Sequence, residues 1–440
     1  MQILDKIKNK SVVIGIVGLG YVGLPLGIAF ANKKINVLGF DLDEKKIKLL
    51  NKGKGYLKHI STEKIRRTVD SGYLKTTSDF SRLPEVDAIL ICVPTPLTEH
   101  REPDMSFVEN TVKTIAKYLR KGQLVSLEST TYPGTTREIL QPLFENAGGK
   151  NKFKVGRDFY LAFSPEREDP NNPDYSTAEI PKVVGGVTPQ CLKVAKAVYD
   201  LVIIKTVPVS SPDAAEATKL LENIFRSINI AMVNELKMVF DRMNIDIWEV
   251  VAAASTKPFG FKPFYPGPGL GGHCIPIDPF YLTWKAREFE ISTKFIELAG
   301  EINTHQPYYV VEKSMEALNK FKKTLNGSKV LILGAAYKKD IDDMRESPSL
   351  KLIEIYRNKG ASVDYYDLYV PVLPKTRKYN FGMKSIKLSK EKLKTYDLVV
   401  LSTDHSNFDY KFIGSNAKII IDSRNAFESR GITGKNIYKA

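Results

Sequence analysis

Cysteine and blocks of like charge are both scarce in this sequence. Its 440 residues include only three cysteines, at the widely separated positions Cys92, Cys191 and Cys274. An odd number of distant cysteines does not make a disulfide framework, so we expect a reducing, cytoplasmic compartment. The net charge of +15 comes from scattered lysines and Lys-Lys pairs rather than from long runs of like charge. A nucleic-acid-binding arm is therefore not expected, and a basic surface that attracts anionic small molecules explains the charge as well.

Charge is absent altogether from residues 12–31, which follow a lysine-rich start. Uncharged runs of this kind occur in signal peptides and membrane anchors. Several glycines and Pro25 argue against a spanning helix, although membrane helices tolerate both residue types. Because the glycine spacing fits a strand, a tight turn and a helix instead, we predict no association with a membrane.

The glycine-rich stretch is part of a strand–turn–helix–strand pattern. Val12–Val17 is a β-branched run typical of a buried parallel strand, and Gly18-Leu-Gly-Tyr-Val-Gly23 after it matches G-x-G-x-x-G. A helical pattern over 24–32 precedes a second strand over 36–40, and Asp41 ends that strand. In such a motif the glycines let the backbone and a helix N-terminus approach a pyrophosphate, and the acid binds a ribose hydroxyl. The sequence therefore predicts an NAD site, with the acid disfavouring NADP.

Polar turns follow three further predicted strands, which cover residues 87–93, 123–127 and 159–163. The turns are Val93-Pro-Thr-Pro96, Glu128–Thr136 and Ser164–Asp169. Strand ends of this kind open onto the crevice where open α/β sheets bind ligands. Hydroxyl-rich turns also cap helices, and Glu166 could be a surface acid, so a site role is favoured here without excluding those alternatives. Strands over 183–186 and 201–207 are predicted to complete this α/β domain by about residue 208.

A long helix and a glycine-rich insert are predicted next. The helix covers 212–244 without internal glycine or proline, and Ser210 or Ser211 caps it. Lys219, Asn223 and Arg226 fall on one face of it, which fits either a solvated stripe or the polar wall of a pocket. The Gly/Pro-rich insert over 258–279 interrupts a mostly helical segment and contains Cys274 and Asp278, and long inserts of this kind are usually functional.

A second, smaller Rossmann-like sheet is predicted from about residue 326. Strands are expected over 328–333, 362–366, 397–403 and 417–422, with a helix over 347–359. The first strand again ends in glycine, but G-x-G-x-x-G is missing, so we do not expect a second dinucleotide. Four cations near the strand ends suit a ligand that carries phosphates: Lys338, Lys339, Arg345 and Arg424.

Together these features predict an α/β fold with two Rossmann-like, doubly wound parallel-sheet domains joined by a long central helix and a helical segment. The predicted domains are residues 1–208 for NAD, 209–325 for the helical part with the cysteine loop, and 326–440 for the substrate. A nicotinamide cofactor and a cysteine nucleophile allow an alcohol to be oxidised to an acid through a thiohemiacetal and a thioester. A simple alcohol dehydrogenase would not need the thiol.

The sequence resembles the nucleotide-sugar 6-dehydrogenases, the UDP-glucose/UDP-N-acetylhexosamine group, along essentially its whole length. The resemblance rests on the stretches Gly18–Pro25, Val93–Pro96, Glu128–Thr136, Phe163–Asp169, Lys219–Arg226, Gly267–Leu282 and Ala336–Ser349. Within the group, residues 163–170 and 256–269 are most similar to UDP-N-acetyl-D-glucosamine 6-dehydrogenases. His273 departs from the serine usual in UDP-glucose enzymes, and it could shape the loop or favour the thiolate.

The resemblance implies a role for each matching residue. Cys274 would be the thioester nucleophile, and Glu166 the acid that activates water for hydrolysis. Asp278, Lys219, Asn223 and Thr131 would position water and stabilise the oxyanion. The cofactor side would comprise Gly18, Gly20, Tyr21, Val22, Gly23, Asp41, Thr95, Thr131 and Arg345. The substrate side would comprise Glu166, Lys219, Asn223, Tyr265, Gly267, Leu270, Gly271, Lys338 and Arg424.

The expected activity is the NAD-dependent, four-electron oxidation of C6 of UDP-N-acetyl-D-glucosamine for surface polysaccharide biosynthesis. UDP-N-acetyl-D-mannosamine, UDP-N-acetylgalactosamine and UDP-glucose are alternative substrates, and a non-catalytic nucleotide-sugar binder is a remote alternative. The resemblance also implies a homodimer or a higher homo-oligomer built on the long helix. No metal and no nucleic-acid partner are expected.

Overall fold

A computed structural model describes residues 2–57, 60–98, 100–149, 152–167, 178–272, 274–376 and 378–440. The chain forms two compact units, Met1–Glu222 with Phe280–Ile291, and Asn223–Pro279 with Ser292–Ala440. The boundaries predicted for three domains stay a prediction.

The first unit is built on an eight-stranded sheet of order β3-β2-β1-β4-β5-β6-β7-β8. Its strands are β1 Val13–Val17, β2 Asn36–Phe40, β3 Leu74–Thr77, β4 Ala88–Ile91, β5 Leu124–Leu127, β6 Tyr160–Phe163, β7 Lys182–Gly186 and β8 Thr206–Val209. All neighbouring pairs are parallel except β6 and β7, which are antiparallel. The strand order reverses between β1 and β4, so the two chain directions diverge at that point and open a crevice at the carboxyl ends of the strands.

Helices cover both faces of this sheet. They are α1 Ile3–Lys8, α2 Gly23–Asn32, α3 Glu44–Leu50, α4 Thr62–Asp70, α5 Ser106–Tyr118, α6 Gln141–Glu145 and α7 Pro189–Tyr199. The strands β4 and β5 are buried along their whole length, as expected for strands covered on two faces. The main core of the unit combines residues of β1, β4, α2 and α7.

The predicted strand over 201–207 is wrong in its position. Residues 201–204 form a turn after α7, and the strand β8 begins only at Thr206. Val202 and Ile203 are apolar because they pack in the core below the sheet, not because they extend it. An apolar run of this length does not by itself distinguish a strand from a buried turn.

Four helices lie in the sequence between the two sheets. Two are long, α8 Pro212–Arg242 and α11 Lys294–Lys320, and two are short, α9 Ile247–Ala254 and α10 Asp278–Ala286. The first of them spans 31 residues, and the Ser211 hydroxyl caps it by accepting the Ala214 N–H. Between α9 and α10 the described residues form neither helix nor strand, which agrees with the predicted insert. Among the described residues, none of the helices is both long enough and apolar enough to span a membrane.

The second unit contains a five-stranded parallel sheet of order β10-β9-β11-β12-β13. Its strands are β9 Lys329–Leu333, β10 Ser362–Tyr366, β11 Leu398–Leu401, β12 Ile420–Asp422 and β13 Ile437–Lys439, with helices α12 Pro348–Asn358, α13 Lys390–Thr395 and α14 Tyr410–Asn416. Two separate apolar clusters cover the two faces of this sheet. The predicted class of two doubly wound α/β sheets is confirmed.

Candidate active site

The first glycine turn is shaped by close backbone contacts. Gly18 has φ +93°, and a Cβ on it would lie 2.6 Å from the Cys92 carbonyl oxygen. A Cβ on Gly23 would lie 1.9 Å from the Gly18 oxygen. A Cβ on Gly20 would meet no atom within 4 Å, so space is open above the backbone there. The turn therefore needs glycine at 18 and 23 for its own fold, and at 20 it offers an exposed backbone edge.

Asp41 lies at the carboxyl end of β2 and braces the same turn. Its Oδ2 accepts the Leu19 N–H at 3.0 Å, and its Oδ1 accepts the Asp43 N–H at 2.9 Å. The side chain is 11% exposed. Lys46 Nζ also lies 3.4 Å from Oδ2. A carboxylate has about four acceptor sites, so these three contacts leave it able to accept a ribose hydroxyl. Tyr21 and Val22 follow the turn and are half-buried.

Two threonines lie beyond the ends of the neighbouring strands β4 and β5. Thr95 is 4% exposed, and Thr131 is fully buried. Among the described residues, the Thr131 hydroxyl oxygen is one of three buried side-chain polar atoms without a hydrogen-bond partner. A buried hydroxyl without a partner costs free energy, which a ligand or a water would recover. The open edge at Gly20, the accepting Asp41 and this hydroxyl all fit NAD at the switch point between β1 and β4.

Glu166 follows β6 and takes part in a buried ionic cluster. Its Oε2 lies 3.4 Å from Lys182 Nζ, and the same Nζ donates to Glu128 Oε2 at 2.6 Å. The Lys182 and Glu128 side chains are 5% and 0% exposed, whereas that of Glu166 is 13% exposed. Burial raises the pKa of Glu128. Burial lowers the pKa of Lys182, but the two carboxylates outweigh it and hold that pKa above its ordinary value. The two carboxylates therefore favour the protonated form of Lys182.

The helix α8 carries the three predicted polar residues, and they differ in exposure. Lys219 and Asn223 are buried, with 8% and 3% of their surface exposed, whereas Arg226 is exposed. The first two support the pocket-wall interpretation of this face. Arg226 fits the solvated alternative.

In the second unit, three predicted catalytic residues come together. The Asn223 amide donates to Asp278 Oδ2 at 2.6 Å in a buried environment. The Asp278 N–H donates to the Cys274 carbonyl at 2.8 Å, which closes a helical turn just before α10. Cys274 is only partly buried, unlike Cys92 and Cys191. Asp278 is thus held by both its backbone and its side chain next to the thiol-bearing turn.

Glycines let the cysteine loop pack against the carboxyl edge of the second sheet. A Cβ on Gly267 would lie 2.4 Å from an Arg424 guanidinium nitrogen, and one on Gly271 would lie 2.4 Å from the Tyr337 Cβ. The Gly272 N–H donates to the Arg345 carbonyl at 3.0 Å. The loop therefore contacts both basic segments of this edge, those that contain residues 337–345 and Arg424.

The remaining predicted residues of this unit lie on the same two segments or on the insert. Lys338 and Leu270 are half-buried, and Tyr265 is 52% exposed. The Arg345 guanidinium bonds to both oxygens of Asp343 at 2.6–3.1 Å. His273 lies outside the described residues, as do residues 168–170 of the matching stretch.

Two parts of the site were missed in the sequence. Lys182 is one, and a lysine at the head of an otherwise apolar strand was the available signal. The other is an amide relay: the Gly267 N–H donates to Asn234, Asn234 donates to Asn303 at 2.9 Å, and Asn303 donates to the Ser227 carbonyl. These amides lie on the helices α8 and α11, where periodicity gives no sign of their partners.

Family models match almost the whole chain. The NAD binding domain of the UDP-glucose/GDP-mannose dehydrogenase family matches residues 12–203, its central domain matches 213–305, and its UDP binding domain matches 331–429. These matches agree with an NAD turn in the first unit and a basic sheet edge in the second.

Known proteins similar to this chain differ in their named substrates. A UDP-N-acetyl-D-glucosamine 6-dehydrogenase from Pseudomonas aeruginosa is 32% identical, with 91% of this chain and 92% of that protein covered. An NDP-N-acetyl-D-galactosaminuronic acid dehydrogenase from Ralstonia solanacearum is also 32% identical, with coverages of 95% and 96%. The solved structure of a UDP-D-ManNAc dehydrogenase from Pyrococcus horikoshii has a TM-score of 0.87 at 32% identity, with coverages of 97% and 99%.

The predicted family and the predicted cofactor are both confirmed by these matches. The chain belongs to the UDP-glucose/GDP-mannose dehydrogenase family and is an NAD-dependent UDP-sugar 6-dehydrogenase, an oxidoreductase.

Proposed function

We propose that this enzyme oxidises C6 of UDP-N-acetyl-D-glucosamine to the uronate in two successive two-electron steps, with Cys274 as the nucleophile. The contact that carries the proposal is the buried Asn223–Asp278 hydrogen bond of 2.6 Å beside the Cys274 turn. A held carboxylate–amide pair next to a partly exposed thiol is suited to covalent chemistry at a carbonyl. A plain alcohol dehydrogenase would have no use for that arrangement.

NAD, when bound, accepts two electrons in each of the two oxidations. Gly18, Gly20, Gly23, Asp41 and Thr95 would hold it in the first unit. The open space at Gly20 and the Asp41 carboxylate support this assignment.

The chain's own groups would carry out the other steps. The thiolate of Cys274 forms a C–S bond to the C6 aldehyde, and the resulting oxyanion is stabilised by the Asn223 amide and the Lys219 cation. After the second oxidation, the adduct is a thioester. Glu166 takes a proton from water, the water oxygen bonds to the thioester carbon, and the C–S bond breaks to return the thiolate. Asp278 orients the Asn223 amide throughout, and Thr131 fixes a water or the cofactor with its hydroxyl.

UDP would be held by the second unit, through Lys338, Arg424 and the loop from Tyr265 to Gly271. The close approach of Gly267 to the Arg424 guanidinium supports this assignment, because it brings backbone and cation to one edge. Backbone amides and a guanidinium at one edge are a suitable diphosphate site. Arg345 is proposed to contact the cofactor once it is released from Asp343.

The substrate is tested with a panel of UDP-sugars and a count of NADH released per sugar. UDP-N-acetylglucosamine should give two NADH per molecule and the highest kcat/KM. A yield of one NADH would contradict the thioester route. A higher kcat/KM with UDP-N-acetylmannosamine would leave the thioester route intact and change the assigned substrate. UDP-N-acetylmannosamine is the leading alternative because two of the similar proteins are named as dehydrogenases of that sugar nucleotide.

We also propose a cytoplasmic homodimer that uses one face of α8. Phe225, Met232 and Val239 recur every seven residues on this helix and are each 45–46% exposed. Such a repeat of exposed apolar side chains is typical of a helix that packs against a second copy. Light scattering should show a dimer, and Met232→Glu should shift it toward the monomer. An unchanged mass would contradict this interface.

A further inference from the structure

The ionic cluster behind Glu166 places one cation between two acids. Lys182 Nζ lies 2.6 Å from Glu128 Oε2, 3.2 Å from the Pro165 carbonyl oxygen and 3.4 Å from Glu166 Oε2. The stronger of the two ionic contacts is thus made with Glu128, which is fully buried. The weaker one is made with Glu166, the more exposed of the two acids.

Glu128 is fixed by a second group. The Tyr199 hydroxyl donates to Glu128 Oε1 and lies 2.8 Å from Ser126 Oγ. The Lys182 ammonium also lies 5.3 Å from the centre of the Tyr199 ring. Because both Glu128 oxygens have a partner, its carboxylate can remain in the core as the counter-charge of Lys182.

The second oxygen of Glu166 is held by the neighbouring backbone. Glu166 Oε1 accepts the Arg167 N–H at 2.7 Å. The Arg167 side chain in turn donates to the Pro181 carbonyl at 2.8 Å and pairs with Glu222 at 2.6 Å. The residue before Lys182 is therefore tied to the residue after Glu166, so the cation and the acid are kept in register.

We propose that Lys182 is a positioning residue for Glu166: its ammonium keeps the Glu166 carboxylate ionised and oriented. Glu128 is the main counter-ion of the same ammonium. A cation at 3.4 Å favours the carboxylate form in a partly buried place. A full ion pair with the same cation would hold the carboxylate too tightly for it to accept a proton. The buried Glu128 prevents this, because it binds the ammonium more closely.

This inference rests on the proposed role of Glu166 in thioester hydrolysis. Several titratable groups in or beside the cluster affect its pH dependence: Glu128, Tyr199, Cys92, Arg167 and Glu222. Burial raises the pKa of Cys92 and of Tyr199, so both stay neutral in the working range. Glu128 and Lys182 are therefore the charges to change.

The test removes the buried cation and its counter-charge together, in Lys182→Met/Glu128→Gln. Removing one alone would leave an uncompensated buried charge and endanger the fold. The matched control is Lys113→Met/Glu109→Gln, which removes an exposed Lys–acid pair on α5. Acid release in a single turnover is followed by chemical quench between about pH 5 and about pH 9, and the acyl adduct on Cys274 by intact mass.

For the double variant we expect the acid limb of the release rate to move up by about one pH unit. At a pH below that limb, acid release should be about tenfold slower than in the parent, and the acyl adduct should accumulate. The control and the NAD affinity should match the parent. An unshifted limb in a folded double variant would overturn the role of Lys182.

Two further variants separate the possible failures. Glu166→Gln should block acid release at every pH and leave the acyl adduct on Cys274; full release there would overturn the proposed role of Glu166 itself. If Glu166→Gln blocks release while the double variant behaves as the parent, only the inference about Lys182 fails. Lys182→Arg keeps the cation, so its acid limb should not move up, and an upward shift would contradict the proposal even if the double variant does not fold.

Discussion

Each sheet has a glycine turn after its first strand and an acid after the neighbouring strand, and we call these two parts together the crossover. The two crossovers share a backbone geometry but differ in how many of their polar groups are bonded within the protein. In each, the first strand is followed directly by a glycine of positive φ, Gly18 at +93° and Gly334 at +81°. In each, that glycine donates its N–H to the end of the neighbouring strand, at 2.8 Å to Phe40 and at 2.9 Å to Tyr366. An acid follows that strand in both cases, Asp41 or Asp367. The backbone geometry is therefore shared.

The two acids differ in how many hydrogen bonds they accept from the protein and in how exposed they are. Asp41 accepts two backbone N–H groups and is 11% exposed. Asp367 is fully buried, and the four N–H groups that it accepts belong to Ala335, Ala336, Tyr369 and Val370. It also contacts His405 Nε2 at 2.9 Å. His405 Nδ1 accepts the Asp340 N–H, so its Nε2 carries the proton that is donated to Asp367.

The glycine turns differ in the same way. Space is open above Gly20, whereas the corresponding Ala336 is fully buried and its carbonyl accepts the Thr403 hydroxyl. The first crossover keeps an edge and an acid for a ligand. The second uses its acid to anchor the loop that carries Lys338 and Arg345. The same backbone geometry thus leaves room for a dinucleotide in one sheet and holds a loop with cationic side chains in the other.

The largest expected effect is that of a side chain on either crossover glycine. A Cβ on Gly18 or Gly334 would lie 2.6 Å or 2.4 Å from a backbone oxygen, at a positive φ in both cases. We expect Gly18→Ala and Gly334→Ala each to lower the free energy of unfolding by about 3 kcal/mol. Thermal unfolding measures this, with NAD titration on the folded fraction. Only Gly18→Ala should weaken NAD binding; an equal loss in both would remove the distinction between the crossovers.

The next effect separates the two acids. Asp367→Asn should cost about 2–3 kcal/mol, because a single amide oxygen must replace two in a buried site with four N–H donors. Asp41→Asn should cost less than about 1 kcal/mol, since that side chain makes fewer bonds. Urea unfolding of both variants gives the values. Equal costs would show that the second acid is no more committed to the fold than the first.

Asp367 also predicts a pH dependence of stability. Burial raises its pKa, but the His405 and backbone hydrogen bonds outweigh burial and hold it below the ordinary value. Its contribution should be fully present above about pH 4, the ordinary pKa range of a carboxyl in the unfolded chain, and should be lost as pH falls through the folded value. In Asp367→Asn this part of the acid-induced loss should disappear. An acid limb identical to that of the parent would contradict the assignment.

A substitution in either crossover is expected to raise the KM for one ligand only, by about tenfold. Asp41→Asn should raise the KM for NAD and leave that for the UDP-sugar unchanged. Lys338→Met should do the reverse, and Lys359→Met, at an exposed position just after α12, is its control. Steady-state kinetics with each substrate varied in turn measures both. A change in the other KM would show that the predicted ligand assignment is wrong.

The smallest effect concerns Gly20. Because its Cβ position is free, Gly20→Ala should change the free energy of unfolding by less than about 1 kcal/mol. NAD affinity should fall several-fold, since the methyl group occupies the space of the pyrophosphate. Ala336→Gly is the matched change in the other sheet and should leave NAD affinity unaltered. Unchanged affinity in Gly20→Ala would contradict the proposed path of the cofactor.

Much of this fold was predictable because it depends on local patterns. The strands Asn36–Phe40 and Ser362–Tyr366 occupy the predicted residues, as both are short β-branched or aromatic runs ended by an acid. The strands Leu74–Thr77 and Ile437–Lys439 were missed, because edge strands alternate polar and apolar residues and are short. The antiparallel direction of β7 was also not predictable, since direction depends on the connection and not on the strand.

The site was predictable to the level of residues but not of partners. Gly18, Asp41 and Cys274 follow from spacing and turn chemistry. The contact between Lys182 and Glu166 joins residues that are 16 positions apart, and the one between Gly267 and Arg424 joins residues more than a hundred apart. No local pattern reports such contacts. The first contact forms only because the antiparallel strand β7 brings its amino end beside the carboxyl end of β6. The second forms only because the loop packs against the carboxyl edge of the second sheet.

The most direct test of the whole account is the product formed by Cys274→Ala. The variant should bind NAD and UDP with the parent's affinities, because neither crossover includes the thiol. It should form no uronic acid and release no second NADH per sugar, since without the thiol the aldehyde cannot become a thioester. Uronic acid at the parent's rate from Cys274→Ala would contradict the covalent route and the role given to the glycine loop.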